Sequence, residues 1–161
     1  MVFSLSACGK KDKEASKPKY SLTMEEAIAD PEMVEYESSI FVIHLDAEVD
    51  SVTVYHKDNV IYGLDQNSVA EVGDRSDSEV ESIIEGVESK YSPLAEKGFV
   101  KLKVFVSEKS DSFVMNMQAR KLDKKENLQM LADLGIFGEL SADSTYKELE
   151  EILIKMNFEK Q

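Results

Sequence analysis

Cys8 is the only cysteine in the chain, and the residues before it invite a covalent change. Leu5-Ser6-Ala7-Cys8 has the order of a lipobox: an apolar residue, two small ones that let an extended strand enter a peptidase groove, then a thiol to receive diacylglycerol before cleavage makes it the new N-terminus. A single cysteine also excludes an internal disulfide and any multi-thiolate metal site. From Gly9 to Lys19 there is no bulky apolar side chain, so this stretch cannot offset its own ordering entropy and reads as a disordered spacer. Five lysines against Asp12 and Glu14 give it a charge of +3, and since the whole chain carries −13, the remainder carries −16. Multiple acyl chains, with a basic segment beside them, hold a protein stably on a bilayer.

The expected organisation is a remnant of a lipoprotein signal peptide at 1–7, a lipidated Cys8 with its charged tether at 8–19, and a single domain at 20–161. The expected location is the outer, extracytoplasmic face of a cell membrane. Met1-Val2-Phe3-Ser4 is too short for a whole signal peptide. This reading therefore places the true start upstream or takes Met1 not to be the natural first residue. The alternative is a cytoplasmic protein in which Cys8 is an unmodified thiol in an ordinary tail.

Other chemistry is harder to find. The two imidazoles, His44 and His56, fall on different strands, and without convergent partners both read as ordinary sheet residues. No nucleophile elbow, phosphate-binding loop, dinucleotide fingerprint, HExxH or EF-hand pattern is present, which argues against common hydrolases and nucleotide enzymes. Asp77, Glu81, Glu85 and Glu88 line one face of a helix, and a straight helix spreads such oxygens too widely for Ca²⁺, so they read as solvated surface. No metal and no cofactor is expected.

The more suggestive group is the outward face of a hairpin. Lys101, Lys103 and Phe105 on one strand stand beside Asn116, Gln118 and Arg120 on the next, with Tyr55 and Thr53 extending the face. Cations and aromatics on an open sheet suit an anionic or sugar-like small molecule or a protein partner, whereas lysines there also serve simply to discourage edge pairing. With 19 Lys and Arg against 32 Asp and Glu, the long-range field repels nucleic acid.

The elements that must position these residues follow from hydrophobic period. Phe41, Ile43 and Leu45 alternate with polar or smaller neighbours, as do Val52 and Val54, and Lys57-Asp58-Asn59 turns the chain into a third strand from Val60 to Leu64. Ser76 and Glu79 have capping-box spacing, and behind them Val80, Ile83, Ile84, Val87 and Tyr91 form a helical stripe that Ser92-Pro93 ends or kinks. Val100, Leu102, Val104 and Val106 alternate in the next strand, Glu108-Lys109-Ser110-Asp111 turns, and Phe113, Met115, Met117 and Ala119 face the same dry side.

Asp123 and Glu126 are placed to cap a helix bearing Leu128, Leu131 and Leu134, closed by Gly135 and Gly138. Thr145 and Glu148 cap a last helix that Asn157 stops. Thr23 and Glu26 have the same spacing before Asp30-Pro31. The longest apolar run, Ile40-Phe41-Val42-Ile43, is far below the roughly 18 residues of a membrane span. The predicted class is α+β: two layers, an antiparallel sheet of about five strands with helices on one face, in the order β-β-β-α-β-β-α-α.

From about Asp50 onward the sequence resembles the YehR-type family of small bacterial lipoproteins, classed as a domain of unknown function. The residues that carry the resemblance are Val52-Thr53-Val54-Tyr55-His56-Lys57-Asp58-Asn59-Val60, the helix ending Glu88-Ser89-Lys90-Tyr91, Gly98-Phe99-Val100, and the closing Asn157-Phe158-Glu159-Lys160. The family tends to have Gly where Asn157 stands and an Asp-Tyr pair near Ala119-Arg120. The resemblance implies an antiparallel α+β fold and anchoring through Cys8, and it brings no active site. The resulting expectation is a non-enzymatic binding or interaction module. The alternative is an envelope enzyme using a carboxylate such as Asp74 or Glu79, with a pocket and a raised carboxyl pKa.

Overall fold

The computed structural model describes residues 31–107 and 111–161. The lipobox, the tether, the Thr23–Glu26 pair and most of the 108–111 turn lie outside the described residues. After a 3-10 turn (Pro31–Met33) come β1 (Glu37–Leu45), β2 (Glu48–Lys57), β3 (Val60–Glu71), α1 (Asp77–Glu96), β4 (Val100–Ser107), β5 (Ser112–Arg120), α2 (Lys125–Ala132), α3 (Tyr146–Lys155) and β6 (Glu159–Lys160). The strands form one antiparallel sheet in the order β4-β5-β3-β2-β1-β6. The predicted α+β class and element order are those observed, with a short sixth strand added where Glu159 and Lys160 pair with Val42 and Phe41.

Period-2 alternation sorts the sheet into two faces. One carries Phe41, Val52, Val54, Leu64, Met115, Met117, Ala119 and Val100, and the core forms where these meet Val87, Tyr91 and Leu94 of α1, Leu128 and Leu131 of α2, and Leu149 and Leu153 of α3. Helices cover this face because each has one apolar stripe to bury.

The local signals hold to different degrees. Asp58 and Asn59 both have positive φ, 50° and 67°, the backbone of a two-residue hairpin turn whose twist suits the flanking strands. Asn157, at φ 68°, is the expected left-handed stop. Pro93 neither ends nor breaks α1, which runs on to Glu96. Proline lacks the N–H that would bond the carbonyl of Ser89, and the Ser92 hydroxyl donates to that carbonyl at 3.2 Å instead. The second cap also shifts: α2 starts behind Lys124, not Asp123, and has no side-chain cap.

Candidate functional site

The open face of the sheet is read across its strands by register. One row runs Lys101, Gln118, Asp65, Thr53, Ile40; the next Lys103, Asn116, Asn67, Ser51, Val42; a third Phe105, Val114, Val69, Val49, His44; and at one end Arg120, Gly63, Tyr55, Ser38. All the residues expected on this face share it, yet they do not form one surface. Lys101, Lys103 and Phe105 are exposed on the edge strand, Phe105 at 44%. Tyr55 and Thr53 are buried, at 3% and 1%, so neither extends an open platform.

Arg120 is turned inward. Its guanidinium donates to Asp65 Oδ1 at 2.5 Å and to the Ala119 carbonyl at 2.9 Å, and lies 5.3 Å from the centre of the Tyr55 ring. The Tyr55 hydroxyl donates to the other Asp65 oxygen at 2.8 Å. The carboxylate thus accepts on both oxygens, as a buried charge must to offset its lost hydration.

What makes a cleft here is a bulge that alternation could not reveal. Tyr55 pairs with Gly63 but His56 pairs with Ile61, leaving Tyr62 as an extra residue on β3. Released from the ladder pattern, Tyr62 stacks on Tyr36 with ring centres 4.5 Å apart. Gly63 leaves room beside it for the Met33 side chain: a Cβ there would lie 2.7 Å from Met33 Cε and 3.2 Å from the Ala119 carbonyl oxygen. Leu122 N–H donates to the Tyr62 carbonyl at 3.0 Å, which fixes the far wall. The result is a cleft of about 340 Å³ lined by Glu32, Met33, Tyr36, Tyr62, Arg120, Lys121 and Asp123. Of the sequence candidates only Arg120 belongs to it. Tyr36 lies in a stretch of weak periodicity, and Tyr62 falls inside the third strand with nothing in residue type to set it apart.

The histidines also separate. His44 is exposed. His56 is 8% exposed, and the partners that the sequence did not show converge on it: Ser39 Oγ lies 3.1 Å from Nε2, and the ring stacks on Tyr146 with centres 3.6 Å apart. Tyr146 donates to Ser39 at 2.8 Å, and Lys160 donates to both the Tyr146 hydroxyl and Glu150, at 3.0 and 2.6 Å. Ser39 Oγ and His56 Nε2 share one proton between them, and the second ring nitrogen faces Glu37, 3.9 Å away. Burial holds the His56 pKa below its ordinary value, with Glu37 acting in the opposite sense. This chain ties β1, β2, α3 and β6 together, and Tyr146 occupies one face of the imidazole.

The carboxylates proposed for acid-base chemistry fare differently from expectation. Glu79 accepts from the Ser76 hydroxyl at 2.7 Å and the Ser76 N–H at 2.8 Å, and these bonds lower its pKa instead of raising it. Asp74 is exposed, as are Asp77, Glu81, Glu85 and Glu88 on α1. The raised carboxyl is Asp50 on the opposite face of the sheet, 1% exposed, where burial opposes its ionisation against a smaller contrary pull from Ser68. Among the described residues no three His, Cys, Asp or Glu side chains gather in a metal-binding group, and no helix is long and apolar enough to cross a membrane.

No family model and no curated protein matches the chain. Solved structures do: the NMR structure of Escherichia coli YehR aligns with a TM-score of 0.56 at 14% identity, over 78% of this chain and 90% of that one. The likeness is one of fold. It supports the YehR-like architecture expected from the sequence. A protein from Streptococcus pneumoniae TIGR4, also solved by NMR, aligns over 96% of this chain and 99% of its own with a TM-score of 0.46 at 14% identity.

Proposed function

We propose that the chain is a non-enzymatic binding module held on the outer face of a bacterial membrane by a lipid on Cys8, and that its ligand is a small, uncharged, sugar-like molecule seated on Tyr36 and Tyr62. The stacked tyrosine pair lining the cleft is the observation that carries the reading. Aromatic faces take the C–H side of a sugar ring, while the flanking polar groups accept and donate to its hydroxyls. An uncharged ligand is favoured over an anion because Arg120 is already matched by Asp65, and Glu32 and Asp123 together outweigh Lys121. Lys101 and Lys103 act instead as solubilising charges on an edge strand.

A panel of neutral oligosaccharides titrated by calorimetry tests the site. Tyr62→Ala is expected to lose binding while the double replacement of Lys101 and Lys103 by Ala keeps it; the reverse pattern sinks the assignment. The anchor is supported by the lipobox order, the tether and the resemblance carried from Val52 to Lys160. Intact mass of the protein extracted from native membranes is expected to show a diacylglyceryl adduct on Cys8. A bare thiol in the soluble fraction contradicts it.

A further inference from the structure

Behind the sheet, on the side the helices cover, buried side-chain oxygens gather. Asp50 of β2 stands directly opposite Ser68 of β3, with Gln66 one step along the same face and Glu48 two residues before Asp50. Tyr91 of α1 is near enough to feel the group: its ionisation is opposed first by burial and then by the charge of Asp50. All five are buried, from 0% exposed for Tyr91 to 4% for Glu48. Asp50 Oδ1, Gln66 Oε1, Ser68 Oγ and the Tyr91 hydroxyl each lack a hydrogen-bond partner. The Ser68 hydroxyl and the Glu48 carboxyl both lie near enough to Asp50 to favour its charge, with geometry short of a full hydrogen bond at Asp50 Oδ1.

Buried polar atoms in folded proteins are nearly always satisfied, and a cluster of unsatisfied ones marks the place of a missing ion or water. The chemistry of the set decides between these. Two carboxyl side chains, an amide oxygen and two hydroxyls are hard oxygen donors, and no described Lys, Arg or His forms an ion pair with Asp50. Water would satisfy hydrogen bonds but bring no charge to two buried carboxyl side chains, whereas a cation does both. Neither sulfur nor imidazole is present to favour a softer metal. Glu48 opens its strand beside exposed Asp46, so the cluster sits close to solvent at the end of the sheet.

We infer that Asp50, Glu48, Gln66, Ser68 and Tyr91 form a binding site for a hard cation of Ca²⁺ size between β2, β3 and α1. The occupant ties α1 to the centre of the sheet and stabilises the domain that carries the tyrosine cleft.

The test uses the full chain, stripped with chelator and then titrated with Ca²⁺ while thermal unfolding is followed. The expected result is a saturable rise in Tm of about 5–10 °C at a hundredfold excess over Kd. Asp50→Asn should keep the fold and lose that rise. Tb³⁺ gives an independent readout, since the chain has no tryptophan and tyrosine is the sensitiser: emission excited through Tyr91 should appear in wild type and vanish in Asp50→Asn. No rise with Ca²⁺ and no Tb³⁺ emission overturns the site. An equal rise in wild type and Asp50→Asn also overturns it, by assigning the ion to another place such as the exposed acidic face of α1. Stabilisation by acidification alone, with no response to either ion, assigns the cluster a proton instead and rejects the cation.

Discussion

Strands β2 and β3 carry two polar clusters on opposite faces, and the two are resolved in opposite ways. On the open face Asp65 is met by Tyr55 and Arg120 on both oxygens, so the chain supplies its own counter-charge. On the covered face Asp50 has Ser68, Gln66 and Tyr91 about it and no basic side chain among the described residues. A buried carboxylate is tolerated when the fold supplies its cation; otherwise it holds a proton or recruits an ion from outside. The first cluster is therefore a fixed wall for the tyrosine cleft, and the second is responsive to what the solution contains.

Breaking the closed cluster should have the largest effect. Arg120→Ala leaves Asp65 buried without its counter-charge and is expected to cost about 3–5 kcal/mol of stability, read by chemical denaturation. A loss below about 1 kcal/mol would show that the pair is not closed in solution. In the open cluster, Asp50→Asn should move stability the other way when measured in chelator at neutral pH, a gain of about 1–3 kcal/mol from removing a poorly satisfied charge. A destabilised variant under those conditions would mean that the carboxylate already has a partner.

Acid sharpens the same contrast. Because the folded pKa of Asp50 is raised, the folded state holds its proton more tightly, so ion-free protein should gain stability as pH falls through that folded pKa toward the unfolded value near 3.9. His56 works in the opposite sense. Its folded pKa is lowered, so stability is full above the unfolded value near 6.5 and is lost as pH falls below it. The two windows separate with Asp50→Asn and His56→Gln, each of which should flatten only its own limb of the stability curve.

The smallest stability effect belongs to the rim of the cleft. Tyr62→Ala should cost about 0.5–1.5 kcal/mol beyond its buried area, through loss of the ring pair with Tyr36, while removing ligand binding. A large unfolding effect would place Tyr62 among the structural residues instead.

Much of the fold was legible because it rests on period. Val100 to Val106 and Phe113 to Ala119 alternate cleanly, and the stripe from Val80 to Tyr91 fits a helix, so face and layer followed directly. Glu48 and Asp50 carry a readable signal of their own: they fall in phase with Val52 and Val54, which places acids on the core side of the strand. The cleft was not legible. It depends on a bulge that changes the pairing count between Tyr55 and Ile61, and a side chain's departure from alternation leaves no trace in residue type. Arg120 was found by its face, but its inward turn depends on Asp65, 55 residues away in sequence and on the neighbouring strand in space. The two-residue β6 is too short to show a period at all.

The binding assignment is tested most directly by amide chemical-shift mapping on the ¹⁵N-labelled chain during titration with a neutral oligosaccharide. The account predicts saturable shifts centred on Tyr36, Tyr62, Lys121 and Leu122, with the amides of Lys101, Lys103 and Phe105 unmoved. Shifts confined to the β4 edge, with the tyrosine cleft silent, would contradict it.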